Sequence, residues 1–273
     1  MQHNPNSHYR QPIKRKRSRL KIYILLLLAV CILAGVFYVF HKPAKPAAAS
    51  KATTTQTTAK SKTGDGFNKQ QYSLTDPTSI WVIVNKQHPL NPIDYAPSDL
   101  VVPNVPLRVP GNESMQLRAV TATAMETMFA AAKAQGINLM LSSGYRSYSY
   151  QVSLYGGYVN TEGQTTADTQ SARPGYSEHQ TGLAADIEPV SRNCEVDPCF
   201  GNTPEGKWLA ANAYLYGFII RYTTGNESIT GYEAEPWHVR YIGTALSKEL
   251  HDTGVQTLEQ FFNVPGGTTY KTP

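Results

Sequence analysis

The feature that most limits how this chain can fold is an uncharged, apolar run of 19 residues from Ile22 to Phe40. At about 1.5 Å of helical rise per residue, the run would extend roughly 28 Å, close to the roughly 30 Å hydrocarbon core of a bilayer. Residues 1–21 hold seven Lys and Arg residues and no acidic residue. By the positive-inside rule, this pattern predicts a basic cytoplasmic tail over 1–21, a transmembrane anchor over 22–40, and export of everything after Phe40.

The N-terminal region has two other interpretations. The small residues of "PAAAS" would suit the cleavage site of a signal peptide, but a signal core of about 7 to 15 residues is shorter than this run. A basic stretch also occurs in nucleic-acid-binding tails, yet here it directly precedes an apolar span, and membrane orientation explains it. We expect a single-pass protein of the cell membrane, in contact with the lipid bilayer, that does not bind nucleic acid.

Residues 41–66 are rich in Ala, Thr, Lys and Pro and show no apolar periodicity, which predicts a disordered tether. Twelve of the 25 Lys and Arg residues precede residue 63, whereas all 20 Asp and Glu residues follow it, so residues 63–273 have a formal net charge of −7. The basic character of the whole chain therefore belongs to the tail and the tether. The remaining length suits one folded domain, residues 67–273.

From Phe67 onward the sequence predicts a mixture of short helices and strands separated by Gly and Pro. Apolar residues at three- and four-residue steps predict a helix of about twenty residues that Gly136 ends; they are Leu117, Val120, Ala124, Met128 and Ala132. Strands are expected at 79–84, 137–143, 218–222 and 237–242, and further helices at 148–159, 204–216 and 244–253.

The stretch "SEHQTGLAADIEP", residues 177–189, places His179 and Asp186 in one short loop. Imidazoles and a carboxylate are common zinc ligands, and a catalytic zinc has three protein ligands and one water. The stretch "EAEPWHVRY" offers His238 as the third ligand and Glu235, three residues before it, as a base for the water proton. The two stretches together predict a catalytic zinc site.

Each half of this pattern also has an ordinary explanation. A His in a polar loop is usually only a loop residue, Asp186 could end a strand, and Glu-x-x-His alone is a weak signal. The flanking residues strengthen the combination: Pro236 favours an extended conformation for Glu235, and Trp237 is large enough to form one wall of a substrate pocket.

These stretches resemble the Ser-x-His-x-x-Gly-x-Ala-x-Asp and Glu-x-x-His signatures of the LAS superfamily of zinc peptidases, and most closely the VanY-type D-alanyl-D-alanine carboxypeptidases. The similarity extends to "VNKQHPLNPIDYAPSDLV", "SSGYRSYSYQ", "ARPGYSEHQTG" and "YGFIIRY", so it covers roughly residues 80–242. It implies an α+β fold: a single compact LAS-type metallopeptidase domain with a small antiparallel sheet flanked by helices.

The resemblance also implies roles for individual residues. His179, Asp186 and His238 would bind one Zn²⁺ per chain, and Glu235 would be the general base. Arg146 matches the family arginine at the substrate end of the site, where a guanidinium suits a carboxylate or an oxyanion; an ion pair at a surface turn is the alternative. Further substrate-binding candidates are Gln151, Arg173, Ser177, Tyr222 and Trp237, although Tyr222 equally suits the core.

Two of the three cysteines, Cys194 and Cys199, lie close together in "NCEVDPCFG". In an exported domain this spacing favours a disulfide. A zinc clip is the alternative, but it would need two more soft ligands nearby.

We therefore expect a membrane-anchored zinc carboxypeptidase that removes terminal D-alanine from peptidoglycan stem peptides and acts as a monomer. The scissile bond would be D-Ala-D-Ala in pentapeptides or the L-to-D bond in tetrapeptides. A peptidoglycan endopeptidase of the same superfamily and a non-catalytic cell-wall-binding module are the alternatives.

Overall fold

A four-stranded antiparallel sheet organises the computed structural model, which describes residues 66–271. Two short strands pair separately: β1 (Leu100–Val101) and β2 (Leu117–Arg118). The main sheet has the order β3–β4–β6–β5 and consists of β3 (Leu139–Ser143), β4 (Ala184–Pro189), β5 (Phe218–Tyr222) and β6 (Glu235–Tyr241). The small antiparallel sheet that the family resemblance implied is thus present.

Seven α-helices surround the sheet in the described part of the chain. They are α1 (Ala119–Ala134), α2 (Tyr148–Glu162), α3 (Gln164–Gln170), α4 (Pro204–Asn212), α5 (Glu227–Thr230), α6 (Thr244–Thr253) and α7 (Leu258–Phe262). Short 3₁₀ segments occupy Glu113–Met115, Glu178–Thr181, Pro198–Asn202 and Ala213–Tyr216.

The predicted tail and membrane anchor, and all but the last residue of the predicted tether, lie outside the described residues. Within 66–271, no helix is long and apolar enough to cross a membrane. The anchor at 22–40 therefore stays a prediction.

Helix α1 packs against the sheet and forms the largest part of the core. Met125 and Met128 are fully buried in one cluster with Leu141 of β3, Ile187 of β4 and Val239 of β6. Burial of side chains of this size contributes roughly 1.5–3 kcal/mol each, so the helix and the sheet stabilise one another.

The predicted helix that Gly136 ends is confirmed, but its start and its buried face are different. Leu117 belongs to β2, and Val120 is 39% exposed. The buried positions of the helix are Thr121, Ala122, Met125, Met128, Phe129 and Ala132. The many alanines of this helix make several faces similarly apolar, so the three- and four-residue steps did not single out the packed face.

The predicted strand at 79–84 is wrong, although Trp81, Val82, Ile83 and Val84 are all buried. Its backbone bonds go elsewhere: the carbonyl of Val82 accepts a hydrogen bond from Arg240 Nη2 at 2.8 Å. A side chain thus satisfies a backbone group for which a strand would need a neighbouring strand.

The other predicted elements are present within one or two residues at most ends. Helix 148–159 extends to Glu162, and 204–216 is an α-helix followed by a 3₁₀ turn. Strand β4 and helices α3, α5 and α7 were not predicted. Cys194 and Cys199 form the expected disulfide, which excludes the zinc clip.

Candidate active site

The two central strands of the sheet carry two of the predicted ligands. In the register of β4 against β6, Asp186 is directly opposite His238. Glu235 is the first residue of β6, which agrees with the extended conformation that Pro236 favours. Opposite residues of an antiparallel pair are about 4.5–5.5 Å apart at Cβ, so strand pairing alone brings these side chains together. Asp186 therefore lies in a strand, and not in the loop that the sequence suggested.

His179 comes from the 3₁₀ segment that precedes β4. Gly182 ends this segment in the left-handed conformation, with φ of 66°. A Cβ on Gly182 would come within 2.9 Å of the Arg118 side chain. A glycine is thus required where the chain turns from His179 into β4.

The three predicted ligands converge. One ligand atom from each of His179, Asp186 and His238 lies within 4.8 Å of the others, and all three side chains are buried. His179 Nε2 is 3.4 Å from Asp186 Oδ2, and His238 Nδ1 is 3.3 Å from Asp186 Oδ1. In residues 66–271 this is the one group of three such side chains that could hold a metal ion.

The hydrogen bonds around these residues suit a divalent cation. His179 Nδ1 is 2.6 Å from the carbonyl oxygen of Gly144, so this nitrogen carries the proton and Nε2 presents its lone pair. Asp186 Oδ1 is buried without a hydrogen-bond partner in the described part of the chain. The Nε2 lone pair of His179 and a carboxylate oxygen of Asp186 thus lie beside the His238 ring, and this donor set fits a site for Zn²⁺.

The protonation states agree with this assignment for the first two ligands. Burial, reinforced by the Arg146 guanidinium, lowers the pKa of His179 to about 4. The pKa of Asp186 lies well below its ordinary value because His179 and Arg146 outweigh the opposing effect of burial. At neutral pH, His179 is therefore neutral and Asp186 is charged, as metal binding requires.

His238 lies in a strongly negative environment. Burial alone would lower the pKa of His238, but the nearby carboxylates of Asp186, Glu178 and Glu235 raise it well above the ordinary value. Three carboxylates that attract a proton to this position also attract a divalent cation, which would take the place of the proton.

Glu235 is positioned to exchange a proton beside the ligands. Its Oε2 is 3.3 Å from His238 Nδ1, and its side chain is 16% exposed. Burial raises the pKa of Glu235 above its ordinary value. A carboxylate with a raised pKa beside a cation site is suited to general base catalysis.

Arg146 contacts the ligand set itself. Its Nη2 donates to Asp186 Oδ2 at 2.7 Å and lies 2.7 Å from His179 Nε2, and its Nε donates to Ser143 Oγ at 3.1 Å. The alternative of an ion pair at a surface turn is therefore wrong, because the partner is Asp186 and Arg146 is only 15% exposed.

The ligands open into a cavity of about 590 Å³. Three predicted substrate residues, Ser177, Tyr222 and Trp237, line it, together with Arg146 and Glu235. The Tyr222 ring lies 4.8 Å from the His238 ring, centroid to centroid. The lining also includes residues that were not predicted, among them Arg108, Tyr150, Leu154, Tyr158, Ser171, Tyr232 and Glu233.

The structure does not place Gln151 and Arg173 on the cavity wall. Gln151 is fully buried behind the wall and donates to the carbonyl of Ala172 at 2.8 Å. Arg173 forms two hydrogen bonds with Asp168 and stacks on Tyr270, 4.2 Å from the ring centroid.

Sequence reasoning missed Glu178, the residue next to His179. Glu178 is fully buried, and its Oε1 accepts hydrogen bonds from Arg221 Nε at 2.8 Å and from Arg240 Nη1 at 2.7 Å. A Glu next to a ligand gives no signal in a one-dimensional pattern, because its partners are 43 and 62 residues away.

A sheet and an adjoining 3₁₀ segment bring two imidazoles and two carboxylates together at one cavity, an arrangement typical of metallohydrolases. Residues 114–244 match the family model of VanY, a D-alanyl-D-alanine carboxypeptidase. Bacillus subtilis YodJ is 46% identical over 193 residues, which are 70% of this chain and 69% of YodJ. The D-alanyl-D-alanine carboxypeptidase of Enterococcus faecalis is 32% identical over 206 residues, which are 72% of this chain and 68% of that protein. The chain belongs to the VanY D-alanyl-D-alanine carboxypeptidase family.

Solved structures agree with this classification. The LdcB LD-carboxypeptidase has a TM-score of 0.65 and 45% identity, covering 70% of this chain and 89% of LdcB. A mutant of the vancomycin resistance D,D-pentapeptidase VanY in complex with Zn(II) has a TM-score of 0.51 and 30% identity, covering 67% of this chain and 98% of the VanY chain.

Proposed function

We propose that this protein is a zinc carboxypeptidase that removes terminal D-alanine from peptidoglycan stem peptides. The observation that carries the proposal is the convergence of His179, Asp186 and His238 beside Glu235. Zinc is the proposed metal because the VanY mutant at 30% identity was solved with Zn(II). One chain supplies all four residues, which supports one ion per chain and a monomeric enzyme.

The proposed mechanism is hydrolysis by activated water. When bound by the three ligands, Zn²⁺ would lower the pKa of water and polarise the scissile carbonyl. Glu235 takes the proton of the attacking water and delivers it to the leaving amine. Its raised pKa supports the first half of that role, since a more basic carboxylate accepts a proton more readily.

Arg146 and the cavity wall are the proposed substrate contacts. The Arg146 guanidinium would donate to the terminal carboxylate of the peptide or to the oxyanion formed by attack. Ser177, Tyr222 and Trp237 face the same space. Gln151 supports the wall from behind, and its buried Oε1 has no hydrogen-bond partner in residues 66–271. Arg173 has no part in this proposal, because it does not line the cavity.

Between the two scissile bonds, we favour the L-to-D bond of tetrapeptides. The 45% identity to the LdcB LD-carboxypeptidase, with 89% of that chain covered, supports this choice. The D-alanyl-D-alanine carboxypeptidase of Enterococcus faecalis is less similar, at 32% identity.

Digestion of defined muropeptides, followed by mass spectrometry, tests the proposal. The full chain is incubated with tetrapeptide and pentapeptide substrates, with and without a zinc chelator. We expect chelator-sensitive loss of one D-alanine, faster from the tetrapeptide. Faster cleavage of the pentapeptide would overturn the L,D assignment, and no chelator-sensitive product would favour the wall-binding module.

Amidation of the terminal carboxylate separates a carboxypeptidase from an endopeptidase. A carboxypeptidase that recognises the free carboxylate through Arg146 loses most of its activity on the amidated peptide. Full activity on that peptide, with cleavage inside the stem, would instead identify an endopeptidase.

We also propose that the protein is anchored in the cell membrane through residues 22–40, with the catalytic domain outside. The support is the apolar run and the seven basic residues before it. Protease treatment of intact spheroplasts should digest the catalytic domain and leave a short membrane-bound fragment. Recovery of the whole chain in the soluble fraction would contradict the anchor.

A further inference from the structure

Behind His238, on the side away from the cation site, two buried polar atoms face each other. His238 Nε2 and Glu178 Oε2 are 3.5 Å apart. Neither atom has a hydrogen-bond partner in the described part of the chain. A buried polar atom without a partner costs roughly 1–3 kcal/mol, so the two atoms are natural partners for one another.

The other ring nitrogen of His238 has a different task. Nδ1 faces Asp186 Oδ1 and Glu235 Oε2, each at 3.3 Å, so it is the nitrogen on the cation side. A metal-ligating histidine usually donates its second ring N–H to a carbonyl or a carboxylate, which fixes the tautomer and the ring orientation. The Gly144 carbonyl is the acceptor for the second ring nitrogen of His179. Glu178 lies at the equivalent place beside His238.

Glu178 is itself held rigidly. Arg221 and Arg240 both donate to its Oε1, which leaves Oε2 directed at His238. Arg221 also donates to both oxygens of Glu259, at 2.6 and 3.0 Å. All four charged side chains are at most 2% exposed.

The charges of this group also balance. Two glutamates face two arginines, so the group as a whole is neutral and Glu178 keeps its negative charge in the interior. A carboxylate that is fixed and charged is a stronger acceptor for an imidazole N–H than a neutral carbonyl.

We propose that Glu178 is a positioning residue: it holds the Nε2–H tautomer of His238, aims Nδ1 at the cation, and thereby raises the affinity of the triad for zinc. The dipeptide Glu178–His179 then supplies one ligand and the support for another. This inference rests on the proposed zinc site.

Zinc affinity of the metal-stripped full chain, measured by competition with a chromophoric chelator, tests the proposal. We expect Glu178→Gln to weaken zinc binding about 10- to 100-fold, the usual effect of losing such a partner. The matched control is Glu259→Gln, which removes a carboxylate from the same Arg221 but does not touch His238. The control should stay within about threefold of the native affinity, because the His238 contact that sets the affinity is retained.

Three results would count against the proposal or its basis. A folded Glu178→Gln variant with native affinity overturns it, and so does a control that weakens binding as much. If the native protein binds no zinc, the proposed function fails together with the role of Glu178. If the native protein binds zinc and only the variant results disagree, the role of Glu178 fails alone.

Nitrogen-15 NMR of the histidines in the zinc-loaded native protein keeps the proposal testable if Glu178→Gln does not fold. The spectrum should show His238 protonated at Nε2 and ligated through Nδ1. A proton on Nδ1 of His238 would overturn the proposal.

Discussion

The sheet and the helical hairpin α2–α3 border the same cavity, but they are built differently. All six residues of β4 are buried. In α2 the one buried residue of fifteen is Gln151, and in α3 the one of seven is Ala167. The sheet carries Asp186, His238 and Glu235, whereas α2 contributes Tyr150, Leu154 and Tyr158 to the cavity wall.

This difference suggests that the buried sheet holds the catalytic groups and that α2 contributes to substrate binding. A catalytic group must be held within about half an ångström, and buried strands with satisfied partners provide that precision. A half-exposed helix packs against few neighbours, so its side chains can change with little cost in stability. Substitutions on the sheet should therefore affect metal binding and turnover, and substitutions on α2 should affect substrate affinity.

The largest effect is expected for His179→Ala, which removes a ligand from the sheet side. Zinc content should fall from one per chain to near zero, and activity should fall to the background rate, because two ligands do not retain a catalytic zinc. Elemental analysis and the muropeptide assay check both results. Zinc content that stays at one per chain would show that His179 is not a ligand.

Glu235→Gln should separate metal binding from turnover. The side chain keeps its size but loses its basicity, so kcat should fall by about 10²- to 10⁴-fold. Zinc content should remain at one per chain, since Glu235 is not a ligand. Native kcat in this variant would refute the base assignment.

Lowering the pH should reduce the free energy of unfolding, because the buried carboxylates of Glu178 and Glu259 become protonated. Burial opposes their ionisation, but Arg221 lowers the pKa of both carboxyls below the ordinary value, with Arg240 contributing at Glu178. At low pH the unfolded chain therefore binds more protons at these two carboxyls than the folded chain does. Their contribution to the free energy of unfolding is complete above about pH 4.5 and is lost as the pH falls below it.

Chemical denaturation of the metal-free protein at several pH values measures this loss. One paired carboxylate contributes on the order of 1–3 kcal/mol, so the free energy of unfolding should drop by at least that much between pH 5 and pH 3. In Glu259→Gln the drop should be smaller. An unchanged pH dependence in that variant would show that Glu259 contributes nothing to acid stability.

The smallest effect is expected on the helical side. Tyr158→Ala removes part of the cavity wall, so KM should rise a few-fold while kcat and zinc content stay native. The free energy of unfolding should change by less than about 0.5 kcal/mol, as for other surface positions. A large drop in kcat with KM unchanged would contradict the claim that α2 affects substrate binding and not turnover.

Much of the site could be predicted from the sequence, because its residues lie in two short motifs. Asp186 and His238 are cross-strand partners, and His179 needs only one turn and Gly182 to reach them. Local spacing therefore fixes most of the geometry. The Glu-x-x-His signature also predicts the base, because Glu235 lies three residues before His238.

The parts that could not be predicted depend on contacts between distant segments. Strand β4 is buried on both faces, so it has no alternation of polar and apolar residues that would indicate a strand. Residues 81–84 are apolar enough for a strand, but Arg240 takes the place of the neighbouring strand. Glu178 acquires its importance only when β5, β6 and α7 bring Arg221, Arg240 and Glu259 to it.

Anomalous diffraction at the zinc edge from crystals of the zinc-loaded protein locates the metal directly. We expect a single strong peak between His179 Nε2, the Asp186 carboxylate and His238 Nδ1, beside Glu235. A peak at any other position in the domain, or none at these three side chains, would contradict this expectation.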